Sequence, residues 1–192
     1  MNDFLIGLSG YARSGKDEAA KALVAGGWRQ VAFADKVKDF VCALDPMVPS
    51  TRGGQPMRLS TVVARRGWDY AKTWYPEVRV LLQRAGTEAG RRILGQDIWI
   101  DALFRDIAEE PAVVISDVRF PNEAQAIADR GGLLIRIERP GVGVMPHESE
   151  TALDDWPFDH VLVNDGTVED LHRKVVGATI LTTTGLMSPT VC

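Results

Sequence analysis

The chain has 192 residues, 45% of them apolar and 25% charged, with a net charge of −4, the balance of one ordinary globular domain large enough to carry an inserted subdomain. That charge argues against a surface that coats nucleic acid, and no apolar run approaches the length that spans a membrane. The two cysteines, Cys42 and Cys192, form no metal spacing and no disulfide framework.

The first apolar run, Phe4, Leu5, Ile6 and Leu8, reads as a buried strand that ends at Gly10. It begins so close to Met1 that no signal peptide is expected, and the chain reads as cytosolic. Gly10-Tyr11-Ala12-Arg13-Ser14-Gly15-Lys16 fits the phosphate-binding loop G-x-x-x-x-G-K, and an alanine-rich helical pattern, Glu18 to Val24, follows at once. The glycines let the backbone curl so that its N–H groups meet phosphate oxygens. The helix start adds positive potential, and Lys16 adds a mobile charge. A chance glycine turn is the alternative, but strand and helix flank the loop as the motif requires. Asp17 stands where a Ser or Thr hydroxyl would bind Mg²⁺; it either ligates the ion or caps helical N–H groups.

Trp28 to Phe33 reads as a second strand, giving way at Asp35 to a helix through Val37, Phe40, Val41 and Leu44. In parallel α/β sheets ligands bind at that end of the strands. Residues 45–58 are a loop by composition, and 59–109 read as a helical block. Its first helix carries Leu59, Val62, Val63, Tyr70 and Trp74, weakened by Gly67. A second runs from Pro76 to about Leu94, and a third from Asp97 to Glu109. In the second, Leu81, Leu82, Ala85, Ala89 and Ile93 form an apolar side. Gln83, Thr87 and Arg91 recur at i, i+4, i+8, with Gly86 and Gly90 beside them. Two glycines flanking a polar stripe suggest a face against which something packs closely; helix–helix packing with a solvated edge is the bland alternative.

Ala112 to Asp117 reads as a third strand, and Pro121 opens a helix through Ala124, Ile127 and Ala128. Leu133 to Ile137 forms a fourth strand, residues 139–150 a mobile loop, and Val161 to Val163 a fifth strand ending in Asn164-Asp165-Gly166. A last helix follows Thr167, with Val168, Leu171, Val175 and Ala178 buried; residues 183–192 read as a frayed tail. Strands alternating with helices give a parallel sheet covered on both faces. Arg13, Arg119 and Arg139 fall at loop ends above the carboxyl edge of the sheet, where arginine suits phosphate because its planar fork grips two oxygens. Asp117 has the placement of an acid near Mg²⁺, and Asp35 could orient an acceptor phosphate or a metal-bound water. His147 is a weaker candidate, since a lone loop histidine is more often solvated.

Together these pieces resemble the bacteriophage deoxynucleoside monophosphate kinases, a branch of the P-loop kinases. The match spans roughly residues 4–180. It rests on Gly10 to Asp17, Phe33-Ala34-Asp35 with Lys36, Leu82 to Glu88 with Arg91, and Asp97-Ile98-Trp99. It also rests on Ser116 to Glu123, Arg139-Pro140, His147 to Glu150, and Asn164 to Gly166. The resemblance implies a five-stranded parallel P-loop kinase sheet in the order 2-3-1-4-5. Residues 1–44 and 110–192 would form the core, 139–150 a lid, and 45–109 a helical acceptor insertion.

It further implies ATP-dependent phosphorylation of deoxynucleoside monophosphates. ATP would meet Gly10, Ala12, Arg13, Ser14, Gly15, Lys16, Asp17 and Glu18, with Asn164, Asp165 and Gly166 near adenine. The acceptor would meet Asp35, Lys36, Gln83, Thr87, Arg91, Trp99, Asp117 and Arg119. Lys16, Asp35, Arg119 and Arg139 would carry the transfer, with Mg²⁺ at Asp17 and Asp117. The expected partners are small nucleotides, with no nucleic acid and no membrane, in the host cytoplasm if the chain is phage-encoded. The helices at 59–109 could present a pocket or a homodimer face. Phosphorylation of another small acceptor, such as dephospho-coenzyme A, and a nucleotide-dependent switch are the competing readings. Asp-Val-Arg-Phe after the third strand is not the Asp-x-x-Gly of a switch.

Overall fold

The computed structural model describes residues 4–143 and 151–183, with side chains to residue 180. Residues 144–150, which include His147 and much of the expected lid, and the tail from 184 lie outside the described residues. The chain divides into two compact units, residues 1–32 with 104–192, and residues 33–103.

The first unit is built on a parallel sheet. Its strands are β1 (Phe4–Ser9), β2 (Arg29–Val31), β5 (Ala112–Ile115), β6 (Leu133–Glu138) and β7 (His160–Val163), ordered β2-β5-β1-β6-β7. Counted without the small hairpin of the other unit, this is the order 2-3-1-4-5. All four pairings are parallel, and β1 lies between β5 and β6 in register Ile6 to Val114 and Ile6 to Leu133. A strand buried on both faces has no use for polar residues, which explains the continuous apolar runs Leu5 to Leu8 and Val113 to Ile115.

Period-two alternation then assigns the faces. Ile6, Leu8, Val114, Ile135 and Ile137 pack with Ala19, Ala20 and Leu23 of α1 (Lys16–Ala25) and Leu171, Val175 and Ala178 of the C-terminal helix α7 (Val168–Thr183). Each fully buried aliphatic side chain contributes about 2 kcal/mol before entropy is counted. Gly7 points the other way, and Ile127 of α6 (Pro121–Ala128) fills the space a Cβ would need, 2.7 Å from it. Among the described residues no helix is long and apolar enough to cross a membrane.

The second unit contains α2 (Phe33–Leu44), a hairpin of β3 (Met47–Val48) and β4 (Met57–Arg58), α3 (Leu59–Trp74), α4 (Pro76–Gln83), a π-helix (Arg84–Leu94), and α5 (Ile98–Asp106) as far as Leu103. Val41, Val48, Leu59, Val62, Ala71, Tyr75, Val78 and Ala85 form its core. Phe33 opens α2 instead of closing β2, because Phe33, Val37 and Val41 repeat at helical spacing. The loop 45–58 hides the antiparallel pairing of Met47 with Arg58, since two-residue strands carry no period. Gly67 (φ 79°, ψ 170°) breaks α3 instead of merely weakening it.

The helix expected from Pro76 to Leu94 changes character at Arg84. Bonding i to i+5 turns each residue through a smaller angle, so beyond Arg84 an i, i+4 row drifts around the axis in the opposite sense to that in an α-helix. Ala85 is therefore buried, but Ala89 is exposed and Ile93 is 76% exposed, so the apolar side read from the sequence does not extend through this segment.

Candidate active site

The phosphate-loop pattern closes on itself at the end of β1. Gly10 (φ 137°) and Gly15 (φ 109°) adopt backbone angles that a side chain would strain. A Cβ at Gly10 would also collide with the Ile137 carbonyl, and one at Gly15 would lie 2.6 Å from Asn164 Nδ2. Between them Arg13 (φ 66°) is left-handed and its side chain is exposed. The Ser14 N–H donates to the Tyr11 carbonyl at 3.1 Å, and the Ala19 N–H to the Gly15 carbonyl at 2.8 Å, so the loop runs directly into α1.

Lys16 folds back over this curl, its ammonium donating to the carbonyls of Gly10 (2.6 Å) and Tyr11 (2.8 Å). Ser14 is buried, and its Oγ has no hydrogen-bond partner among the described residues. A buried hydroxyl left unsatisfied in a loop of curled N–H groups suits a ligand rich in oxygen acceptors. Ala12, Arg13, Gly141, Val142 and Gly143 line a cleft of about 270 Å³ beside the loop.

Asp17 is exposed in the first turn of α1, whose N-cap, Gly15, has no side chain with which to cap the helix. Glu18 follows, pairing with Lys21 at 2.7 Å and His172 at 3.2 Å, and the Lys21 bond above all holds its carboxyl below the usual range. Among the described residues no three His, Cys, Asp or Glu side chains gather as a metal centre. Mg²⁺ is commonly held by one or two carboxylates together with phosphate oxygens, and Asp17, in the first turn after the loop, and Asp117, just past β5, are carboxylates of that kind.

The neighbouring loops are set by backbone bonds. Ser116 N donates to Val31 O (3.0 Å) and Val118 N to Leu8 O (3.1 Å), so Asp117 continues the pairing of β5 with both neighbours. Glu123 is buried, and its Oε2 accepts from the backbone N–H groups of Arg119 (2.8 Å) and Phe120 (3.1 Å). That carboxylate fixes the backbone from which the exposed Arg119 projects. Sequence reading quoted Glu123 in a motif without giving it this role; Pro121-Asn-Glu at a helix start was the available signal. Arg139 is exposed just past β6. Asn164 Nδ2 donates to Ser14 O at 2.8 Å, tying the end of β7 to the loop. Asp165 pairs with Lys174 at 2.8 Å, which holds its carboxyl low, and Gly166 lies against Asp170. Tyr11, Arg136 and Asp154 join in a network that sequence reading missed, although an arginine inside the apolar run Leu133–Ile137 was a signal.

The helical unit carries its candidates separately. Asp35 is half-buried and pairs with Lys38 at 2.7 Å, and Lys36 pairs with Asp39 at 3.1 Å. Gln83 and Thr87 are exposed, and Arg91 is half-buried. Trp99 is buried, donating its indole N–H to the Gly86 carbonyl at 2.8 Å, and a Cβ at Gly90 would lie 2.6 Å from its ring. The two glycines of the stripe therefore meet a tryptophan. This unit has eleven Lys and Arg against eight Asp and Glu, a surplus of +3 in a chain whose total is −4. Such a local excess of cations favours an anionic ligand.

A profile of the family described as deoxynucleotide monophosphate kinase matches residues 60–175. A protein of Acanthamoeba polyphaga mimivirus, named provisionally as a deoxynucleotide monophosphate kinase, is 32% identical over 90% of this chain and 94% of its own. The deoxynucleoside-5'-monophosphate kinase of Escherichia phage T5 is 27% identical over 83% of this chain and 89% of its own. In fold, the chain is similar to the dephospho-CoA kinase from Campylobacter jejuni, with a TM-score of 0.50 and 12% identity over 97% of this chain and 100% of that one.

Proposed function

This chain belongs to the deoxynucleotide monophosphate kinase family, and from that premise we propose that it is a phosphotransferase taking the γ-phosphoryl group of ATP to a deoxynucleoside monophosphate. The single observation that carries the donor half is the curl of Gly10 to Lys16, with its two glycines at positive φ and Lys16 laid over it.

Moving a phosphoryl group between two anions is mainly positioning and charge neutralisation. The N–H groups of Gly10, Ala12, Arg13 and Gly15, the buried Ser14 hydroxyl and the start of α1, with Glu18 in its first turn, serve the donor phosphates. Lys16 exchanges its two carbonyl partners for phosphate oxygens. Asp17 and Asp117 would hold Mg²⁺, which would supply charge neutralisation to the donor phosphates. Arg119 and Arg139 grip phosphate oxygens bidentately, and Asn164, Asp165 and Gly166 serve the adenine end.

In the helical unit Asp35, Lys36, Gln83, Thr87 and Arg91 serve the acceptor, and Trp99 holds the π-helix that presents Thr87 and Arg91. Steady-state ADP release with single acceptors tests this reading. A deoxynucleoside monophosphate kinase releases ADP when given such a monophosphate. Release driven only by dephospho-coenzyme A, or release with no acceptor, contradicts it.

A further inference from the structure

Arg136 lies within β6, its backbone in register with Ser9, the last residue of β1 before the phosphate loop. It is 7% exposed, so its guanidinium needs partners inside the protein. Nη2 lies 2.6 Å from Asp154 Oδ1, Nη1 donates to Leu153 O at 3.0 Å, and Nε lies 3.2 Å from Glu138 Oε1. The ring of Tyr11 sits 5.0 Å from the guanidinium carbon and that of Phe158 5.6 Å from it. The Tyr11 hydroxyl lies 3.0 Å from each Asp154 oxygen. Asp154 thus joins a buried arginine to a tyrosine of the loop itself.

What Tyr11 does at its other end gives this network a consequence. Its carbonyl accepts from both Ser14 N and Lys16 Nζ. One residue therefore has its side chain fixed by Asp154 and Arg136 and its carbonyl fixed to the Ser14 N–H, closing the curl on which Lys16 rests. Burial, then the Asp154 carboxylate, push the Tyr11 phenol above its ordinary pKa, so it stays a hydrogen-bond donor throughout the neutral range.

We propose that Tyr11, Asp154 and Arg136 are positioning residues for the donor phosphates, holding the loop in the curl that presents its N–H groups and Lys16. This rests on the assignment of Gly10 to Lys16 to the donor. Curling the loop costs conformational entropy, and a network that has already ordered it leaves less of that cost to nucleotide binding. No residue of the network is assigned to the acceptor, so its effect falls on donor affinity.

The test uses the full chain with ADP and Mg²⁺ in a direct binding titration, beside steady-state KM values for ATP and acceptor. Tyr11→Phe keeps the ring beside Arg136 and removes only the hydroxyl. It should weaken ADP by about fivefold to tenfold and raise the ATP KM alike, leaving the acceptor KM and the unfolding midpoint nearly unchanged. Asp154→Asn should weaken ADP as well, and the double variant should lose no more than the stronger single one. Lys16→Ala separates the two ideas. If it loses ADP affinity while Tyr11→Phe binds as wild type, positioning by the network is overturned and the donor loop stands. If Lys16→Ala also binds ADP as wild type, the donor assignment itself fails, and the proposal with it.

Discussion

The side-chain amide of Asn164 donates to the carbonyl of Ser14, 150 residues away in sequence, at 2.8 Å. The same nitrogen occupies the space that any side chain at position 15 would need. One residue at the end of β7 thereby both anchors the phosphate loop and leaves room only for glycine there. Asn164→Asp replaces the N–H donor by an oxygen facing a carbonyl oxygen, turning attraction into repulsion. The variant should raise the ATP KM about tenfold or more, with a smaller change for the acceptor, in steady-state assays varying each substrate.

Gly90 should tolerate no side chain. A Cβ there meets the Trp99 ring at 2.6 Å and the Ala85 carbonyl at 2.8 Å. Helix propensity alone would favour Gly90→Ala by about 1 kcal/mol, but overpacking costs about 1–3 kcal/mol. Urea unfolding followed by tryptophan fluorescence should show net destabilisation. A more stable variant would mean that the contact with Trp99 yields freely.

Arg91→Ala tests the acceptor assignment. A lost charge-assisted bond to a phosphate costs about 2 kcal/mol, so the acceptor KM should rise by roughly 30-fold while the ATP KM stays within about twofold. A rise confined to the ATP KM would remove Arg91 from the acceptor site.

Asp17 departs from the usual hydroxyl and is exposed in the first turn of α1. Its exposed carboxylate is therefore available to a cation. Asp17→Asn should leave the unfolding midpoint nearly unchanged but raise the Mg²⁺ concentration for half-maximal rate by about threefold or more. Excess Mg²⁺ should restore part of the rate by mass action. An unchanged Mg²⁺ midpoint would refute ligation by Asp17.

Much of this molecule was legible in the chain because its local signals agree. The apolar run before Gly10, the two glycines and Lys16 each point to the same strand, loop and helix, and the structure has all three. The π-helix was not legible. Arg84 to Leu94 has an ordinary i, i+4 pattern, and only the Trp99 indole at Gly86 and Gly90, nine to thirteen residues away, marks the segment as different. Tyr11, Arg136 and Asp154 were missed for a related reason. Sequence spacing carries no record of which side chains meet across 143 residues, as Tyr11 and Asp154 do.

The most direct measurement follows the phosphoryl group itself. ATP labelled at the γ-phosphate is incubated with each of the four common deoxynucleoside monophosphates, and the nucleotide products are separated. The wild-type protein should transfer label to at least one of them, forming the labelled diphosphate, and folded Lys16→Ala should transfer it at least about a hundredfold more slowly. A wild-type protein that labels none of the four, or a Lys16→Ala protein that labels them at the wild-type rate, would contradict the account.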